Sequence, residues 1–195
     1  MPNEHSKTHK TGHHHGKIAY LESQERRMAF SPDTLLSRIP LKNIDHILDF
    51  GAGTGYFTIP AAKQVDGTVY ALDTDLTMLE IIQTKAHEEQ LANIVLIQGG
   101  DAKFPISDSS VDVVIASLVL HEIHPLAETL TEIKNVLKAG GYLAVVELEP
   151  KEQASHQAPR ISLAGMEKEI EDAGLLLTEK FFPAESLYVL IAQKQ

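Results

Sequence analysis

The sequence predicts an α/β fold with a mainly parallel sheet and helices on both of its faces. From Asp45 onward, short apolar runs alternate with longer amphipathic stretches. Repeated strand–helix units of this kind require a parallel sheet. Near the end of the chain, two strand-like runs follow each other with no room for a helix between them. These two runs predict an antiparallel hairpin.

Apolar periodicity and local start signals define the individual elements. Ser31 before Pro32 predicts a helix start, because serine caps free amides and proline suits the first helical position. Ser162 predicts another helix start. Helices are predicted at residues 56–63, 76–90, 126–137 and 162–174, with a glycine turn at 138–141 and a short helix around 22–30. Strands are predicted at residues 46–50, 68–73, 94–97, 111–117, 142–147, 175–182 and 187–193.

The composition excludes several classes of function. The 195 residues include 17 Lys and Arg against 27 Asp and Glu, a net charge of −10. This balance argues against a basic groove, so we expect no nucleic-acid partner. Cysteine is absent, which excludes disulfides, zinc–thiolate sites and cysteine nucleophiles. No apolar run approaches the roughly 18 residues that span a bilayer and no signal segment is present, so we expect a cytoplasmic protein that handles a small molecule.

We expect three segments along the chain. Residues 1–16 hold five of the ten histidines among polar residues, which predicts a disordered tail. These histidines are also able to bind Ni²⁺, Cu²⁺ or Zn²⁺, but nothing fixes their geometry and we assign no metal site. Residues 17–43 form a predicted helical segment that acts either as a lid over a pocket or as a solvated helix face. Residues 44–195 form the main domain.

A glycine-rich turn lies between the first predicted strand and the helix that follows. It reads Asp49-Phe50-Gly51-Ala52-Gly53-Thr54-Gly55-Tyr56, and its glycines let a ligand approach bare backbone. About twenty residues later, Asp73 ends the next strand, where a carboxylate can accept both hydroxyls of a ribose. Together these features predict a cofactor that contains a nucleoside. The G-x-G-x-G spacing differs from the dinucleotide fingerprint, and the lack of a Walker lysine excludes a P-loop.

At these residues the sequence resembles the class I S-adenosylmethionine-dependent methyltransferases, in the branch similar to ubiquinone/menaquinone-biosynthesis methyltransferases. The resemblance covers residues 44–193 and rests on the runs 47–55, 69–73, 99–102, 111–117 and 136–143. It implies a Rossmann-like seven-stranded sheet in the order 3-2-1-4-5-7-6, with the last strand antiparallel. It also implies S-adenosyl-L-methionine as cofactor and S-adenosyl-L-homocysteine as product.

The resemblance also implies roles for individual residues. Asp49 and the backbone of residues 51–55 would hold the methionine half, and Asp73 would hold the ribose. Asp101 and Ala102 would hold the adenine, although an aspartate after Gly100 also suits a plain turn. Ser117 and Leu118 would line the pocket beside the sulfonium. The implied cofactor-binding set is Asp49, Phe50, Gly51, Ala52, Gly53, Gly55, Tyr56, Asp73, Thr74, Met78, Asp101, Ala102, Ser117 and Leu118.

The residues after the fourth strand supply a candidate base. A neutral O, N or C acceptor needs a group that removes its proton, whereas a soft anion does not. His121 is the candidate because an ordinary imidazole titrates near neutrality, and Glu122 and His124 are weaker candidates. The alternative is that His121 only packs against a neighbouring loop.

Sequence features also narrow the acceptor. No Asn/Asp-Pro-Pro-aromatic segment follows the fourth strand, which disfavours nucleobase and glutamine-amide acceptors. Arsenite methyltransferases resemble this branch but rely on cysteines, which this chain lacks. We therefore expect a methyltransferase that acts on a small molecule. The alternatives are a nicotinamide-dependent oxidoreductase, whose G-x-G-x-x-G turn and Tyr-x-x-x-Lys pair do not appear, and a non-catalytic cofactor- or metal-binding protein.

Overall fold

The protein is described here by a computed structural model, in which residues 30–99, 103–150 and 159–195 are placed. Five α-helices lie in these residues: α1 Pro32–Leu36, α2 Thr58–Gln64, α3 Leu76–Glu88, α4 Leu126–Val136 and α5 Leu163–Asp172. The strands of the same ranges are β1 Ile47–Phe50, β2 Val69–Asp73, β3 Ile94–Gln98, β4 Val111–Ser117, β5 Leu137–Leu148, β6 Leu176–Ala184 and β7 Leu187–Gln193.

The strands form one seven-stranded sheet in the order β3-β2-β1-β4-β5-β7-β6. Strands β1 to β5 run parallel, and β7 pairs antiparallel with both β5 and β6. The predicted order and the predicted hairpin are therefore confirmed. Pro183 lies in β6 at the edge of the sheet, where an edge strand tolerates a residue with no N–H to donate.

Helices pack on both faces of the sheet because the central strands are apolar on both sides. Along β4, Val114 and Ala116 join a buried cluster that includes Ile133 of α4 and Met166 of α5. The alternate residues of β4 join a second cluster with residues of α1 and α2. Strands buried on both faces read as continuous apolar runs, which is why the sequence predicts them well.

The helix starts predicted from serine are confirmed. Ser31 accepts a hydrogen bond from the N–H of Asp33 at 3.2 Å, and Pro32 occupies the first turn of α1. Ser162 accepts a hydrogen bond from the N–H of Gly165 at 3.2 Å, at the start of α5. Each serine oxygen satisfies an amide that has no partner within its helix.

Most predicted boundaries differ from the observed ones by two residues or fewer, and the largest difference is at the start of β5. The predicted glycine turn at 138–141 lies inside β5, which already begins at Leu137, directly after α4. Val111 pairs with Leu137 and Val113 pairs with Tyr142, so these residues form an irregularity in the ladder. Tertiary contacts explain the difference, because the N–H of Gly140 donates to the carbonyl of Lys194 at 2.8 Å.

Several predictions lie outside the described residues. They concern the tail at 1–16, the part of the predicted lid at 17–29 with nearly all of the short helix around 22–30, and the adenine-binding pair Asp101 and Ala102. In the ranges that are placed, no helix combines the length and the apolar character needed to cross a membrane.

Candidate functional site

The chain reverses its direction across the sheet between β1 and β4. From β1 it proceeds outward to β2 and β3, and it then returns to β4 on the other side of β1. Such a reversal opens a crevice at the carboxyl ends of the strands, where ligands of open α/β sheets bind. The glycine turn follows β1, Asp73 ends β2, and Ser117 ends β4. The structure therefore brings these predicted residues to one edge of the sheet.

The glycine turn needs glycine for both conformation and space. Gly51, Gly53 and Gly55 have φ angles of +70°, +53° and +84°, in the left-handed region that glycine adopts without strain. A Cβ atom on Gly51 would lie 2.4 Å from Cγ2 of Val119, the second residue after β4. The turn after β1 therefore packs directly against the segment after β4.

Backbone hydrogen bonds tie the glycine turn to the end of β2. The N–H groups of Gly51 and Ala52 both donate to the carbonyl of Leu72, at 2.9 and 3.0 Å. The N–H of Gly53 donates to Oδ2 of Asp73 at 2.8 Å, and the N–H of Asp75 donates to Oδ1 at 2.9 Å. Each carboxylate oxygen has two lone pairs, so Asp73 is held in place and can still accept further hydrogen bonds.

Two further residues of the predicted set anchor the two ends of the turn. The Thr58 hydroxyl donates to Oδ2 of the buried Asp49 at 2.5 Å, which joins the start of α2 to β1. The Tyr56 hydroxyl donates to the carbonyl of Phe30 at 2.7 Å. The ring of Phe30 contacts the ring of Phe57. The middle of the predicted lid segment, at Phe30, is thus attached to the glycine turn.

The predicted cofactor-binding residues differ in exposure. Phe50, Ala52 and Met78 are buried, and Met78 has no exposed surface. Thr74 is exposed, next to Asp73. The contact of Met78 with a cofactor remains a prediction.

Thr54 is a polar residue of the turn that the sequence reasoning passed over. Its hydroxyl is buried and has no hydrogen-bond partner among the described residues, although such groups are rarely left without one. Its carbonyl accepts a hydrogen bond from Nζ of Lys85 at 2.7 Å. The sequence feature that could have pointed to Thr54 was a single hydroxyl-bearing residue between two glycines.

Leu118, just after β4, has a strained backbone. Its φ angle is +54°, which a residue with a Cβ atom rarely adopts. Its N–H donates to the carbonyl of Val146 in β5 at 2.8 Å, which holds this conformation. Strain of this kind costs about 1–3 kcal/mol and occurs preferentially at functional sites. The bend it produces leads into the short 3₁₀ turn Leu120–Glu122, which contains His121.

His121 is paired with Glu147, a residue of β5 that the sequence reasoning did not select. Nδ1 of His121 lies 2.8 Å from Oε2 of Glu147, and the N–H of His121 lies 3.3 Å from Oε1. The His121 side chain is 11% exposed and that of Glu147 is 0% exposed. The sequence feature that could have pointed to Glu147 was a charged residue at the end of an apolar predicted strand.

The pair changes the protonation of the histidine. The hydrogen bond that His121 donates to Glu147 is the main reason that the pKa of His121 is raised above 6.5, and burial opposes it. Tyr188, opposite Glu147 in the β5–β7 ladder, has its pKa raised by burial and by the charges of Glu147 and Glu149. The imidazole that follows β4 can therefore hold a proton or accept one, whereas the turn that follows β1 presents mainly backbone N–H and carbonyl groups.

Comparison with known proteins agrees with the predicted family. A family model described as a methyltransferase domain matches residues 48–145, which is half of the chain. A demethylmenaquinone methyltransferase of Lactiplantibacillus plantarum is 36% identical over 121 residues, 60% of this chain and 51% of the relative. One from a Geobacillus strain is 31% identical over 136 residues, 69% of this chain and 58% of the relative. The chain thus spans about half the length of the curated relatives it matches.

Solved structures share the fold. An S-adenosylmethionine-dependent methyltransferase from Aquifex aeolicus superimposes with a TM-score of 0.84 at 26% identity, covering 92% of this chain and 98% of that one. The [4+2]-cyclase SpnF has a TM-score of 0.74 at 19% identity, covering 84% of this chain and 80% of that one. The second likeness shows the fold alone, because one fold hosts more than one reaction.

Proposed function

Since the chain belongs to the class I S-adenosylmethionine-dependent methyltransferases, we propose that it transfers the methyl group of this cofactor to a small-molecule acceptor. The observation that carries the proposal is the contact between the glycine turn and Asp73, at the crevice between β1 and β4. The proposal includes the expected cytoplasmic location and the role of residues 17–43 as a lid.

The residues at the crevice fit the cofactor chemically. Asp73 has lone pairs left for the two hydroxyls of a ribose. The ammonium group of a methionine moiety only donates hydrogen bonds, so it would bind carbonyl oxygens of the turn. The buried hydroxyl of Thr54, without a partner in the described ranges, would gain one from a polar ligand group. Asp101 and Ala102 remain the proposed adenine contacts.

The protein need not form a covalent bond to the methyl group during the transfer, so its main task is to position the reactants. When bound, the cofactor supplies an electrophilic methyl group on a positively charged sulfur. The chain then has to hold an acceptor in line and exclude water. Ser117 and Leu118 are the proposed lining of that pocket. His121 is the proposed base, which removes a proton from a neutral O–H or N–H acceptor.

The acceptor class follows in part from the relatives. The two relatives described above are named for demethylmenaquinone, so this compound is the first acceptor to test. It should be offered in reduced form, because an electron-rich carbon or oxygen of the acceptor has to attack the electrophilic methyl group. The net charge of −10 supports an acceptor other than a nucleic acid.

Two measurements test the proposal. Calorimetry should show binding of S-adenosylmethionine and S-adenosylhomocysteine, and no binding of NAD. A screen of small-molecule acceptors, with S-adenosylhomocysteine release as readout, should then find turnover. Binding of NAD in place of these two compounds would favour the oxidoreductase alternative. Tight cofactor binding without turnover on a wide panel would favour a non-catalytic binding protein.

A further inference from the structure

Glu147 is a charged side chain with no exposed surface, at the end of β5. Burial of a carboxylate is unfavourable unless hydrogen bonds and opposite charge compensate for the lost water. Here one residue compensates twice, because His121 places its backbone N–H 3.3 Å from Oε1 and its Nδ1 2.8 Å from Oε2. Two contacts from one residue fix both the position of the turn and the rotation of the imidazole ring.

We propose that Glu147 is a positioning residue that holds His121 as the tautomer protonated on Nδ1, so that Nε2 is the atom that accepts a proton. An ionised carboxylate only accepts hydrogen bonds, so the ring nitrogen that faces it carries the hydrogen. In a neutral ring the other nitrogen is then the acceptor. The inference rests on the proposed function only for the source of the proton, an O–H or N–H group of the methyl acceptor.

Other charged and titratable groups surround this pair. Glu122, on the same turn, lies with Oε1 3.9 Å from Nε2 of His121, and its side chain is 55% exposed. Arg160 precedes α5, and Tyr188 lies opposite Glu147 on β7. The hydrogen bond to Glu147 raises the pKa of His121 most. Burial lowers this pKa, the charges of Glu147 and Glu122 raise it, and the charge of Arg160 lowers it. Glu147 therefore has the largest influence among these groups.

The arrangement has a consequence for proton transfer. A neutral His121 would take the acceptor proton on Nε2, and the imidazolium so formed would be stabilised by Glu147 until it released the proton to water. The raised pKa favours the protonated ring, so the form able to accept a proton grows as the pH rises through that pKa. A reaction that uses this base should therefore be faster on the alkaline side of the titration.

Nuclear magnetic resonance of the full-length protein, without cofactor or acceptor, tests the first part of the inference. In ¹⁵N-labelled protein, the signals of His121 are assigned by comparison with His121→Gln. We expect the neutral ring to carry its hydrogen on Nδ1 and to titrate above 6.5. A ring protonated on Nε2, or a titration at or below that value, would overturn the proposal without any variant of Glu147.

Two matched variants test the cause. Glu147→Gln keeps the shape and a carbonyl oxygen but removes the buried charge, and it should lower the titration midpoint of His121. Glu122→Gln removes the same charge from an exposed position and should lower it by less. An equal or larger shift in Glu122→Gln would contradict the inference. With an acceptor that the enzyme uses, Glu147→Gln should lower kcat about tenfold or more while the KM for S-adenosylmethionine stays unchanged.

The two proposals fail in different ways. If His121 shows the expected tautomer and the expected response to Glu147→Gln, but no acceptor is methylated, the proposed function fails and the assignment of the tautomer stands. If methyl transfer occurs at the same rate and with the same pH profile in wild type and Glu147→Gln, the proposed function stands and Glu147 has no positioning role.

Discussion

At the end of β1 most of the polar contacts involve backbone groups, whereas at the end of β4 the central polar contact joins two side chains. The turn half consists of residues 51–55 with Asp73, where the N–H of Gly53 meets a carboxylate. The histidine half consists of residues 117–122 with Glu147, where an imidazole meets a buried carboxylate 26 residues away. Backbone contacts depend on the conformation of the chain and are kept as long as the fold is kept. Side-chain contacts depend on residue type and can change with the sequence while the fold stays the same. The comparison thus separates the proposed cofactor-binding region, which depends on the fold, from the proposed catalytic region, which depends on individual side chains.

The largest expected effect tests whether the two halves act separately. His121→Ala should lower the rate with a neutral O–H or N–H acceptor by about 10²–10⁴-fold, because the proposed base is lost. Calorimetry should show unchanged affinity for S-adenosylhomocysteine, since the turn half is intact. The control is His124→Ala, which removes an exposed imidazole three residues away. An equal loss of rate in the control, or a loss of cofactor affinity in His121→Ala, would contradict the separation.

The contact between Gly51 and Val119 is where the two halves meet. In Gly51→Ala the new methyl group would lie 2.4 Å from Cγ2 of Val119, on a backbone with φ of +70°. We expect the free energy of unfolding to fall by about 2–4 kcal/mol, the sum of backbone strain and overpacking. Cofactor affinity should fall as well. Urea unfolding and calorimetry measure the two effects.

A matched control isolates the packing term. Gly140 has a similar φ of +79°, but a Cβ atom there would have nothing within 4 Å. Gly140→Ala should therefore cost only the backbone strain, about 1 kcal/mol. Equal losses in the two variants would mean that Val119 moves aside freely, and that the two halves are not packed together.

The turn half could be predicted from the sequence because its residues are neighbours along the chain. The spacing of Gly51, Gly53 and Gly55, and an aspartate at the end of the next strand, are local patterns that follow from the turn itself. The strand order also followed, through the resemblance of these motifs to a known family. Thr54 was passed over because one hydroxyl within a glycine turn forms no pattern.

The histidine half could be predicted only in part. His121 stood out as a group that titrates near neutrality, but its partner Glu147 depends on which strands are adjacent and which face each side chain takes. The pairing of β4 with β5 brings the two residues together, and a single sequence contains no local sign of it. For the same reason the start of β5 at Leu137 was missed, because contacts with Lys194 decide the structure of residues 138–141.

A smaller effect is expected from the charge of Asp73, which tests the turn half alone. Asp73→Asn should weaken the binding of S-adenosylhomocysteine by about 1–3 kcal/mol, because ribose hydroxyls lose a charged acceptor. Asp75→Asn is the control, since it removes the same charge nearby and keeps an oxygen that can accept from the N–H of Thr77 at the start of α3. Calorimetry should show weaker binding of S-adenosylhomocysteine in Asp73→Asn and nearly unchanged binding in Asp75→Asn. Equal affinity in wild type and Asp73→Asn would reject the proposed place of the ribose.

The smallest expected effect is the pH dependence of stability that the histidine half alone should show. The pKa of His121 in the folded protein lies above its ordinary value of 6.5, first because of the hydrogen bond that His121 donates to Glu147. A group whose pKa is raised by folding stabilises the folded state fully below the unfolded pKa, and this contribution is lost as the pH rises through the folded pKa. Wild type should therefore exceed Glu147→Gln in free energy of unfolding by an amount that shrinks as the pH rises from 6.5 through the folded pKa of His121. Urea unfolding at several pH values measures this difference, with Glu122→Gln as the exposed control. A difference that stays constant or grows with pH would mean that the pair is not ionised as the geometry indicates.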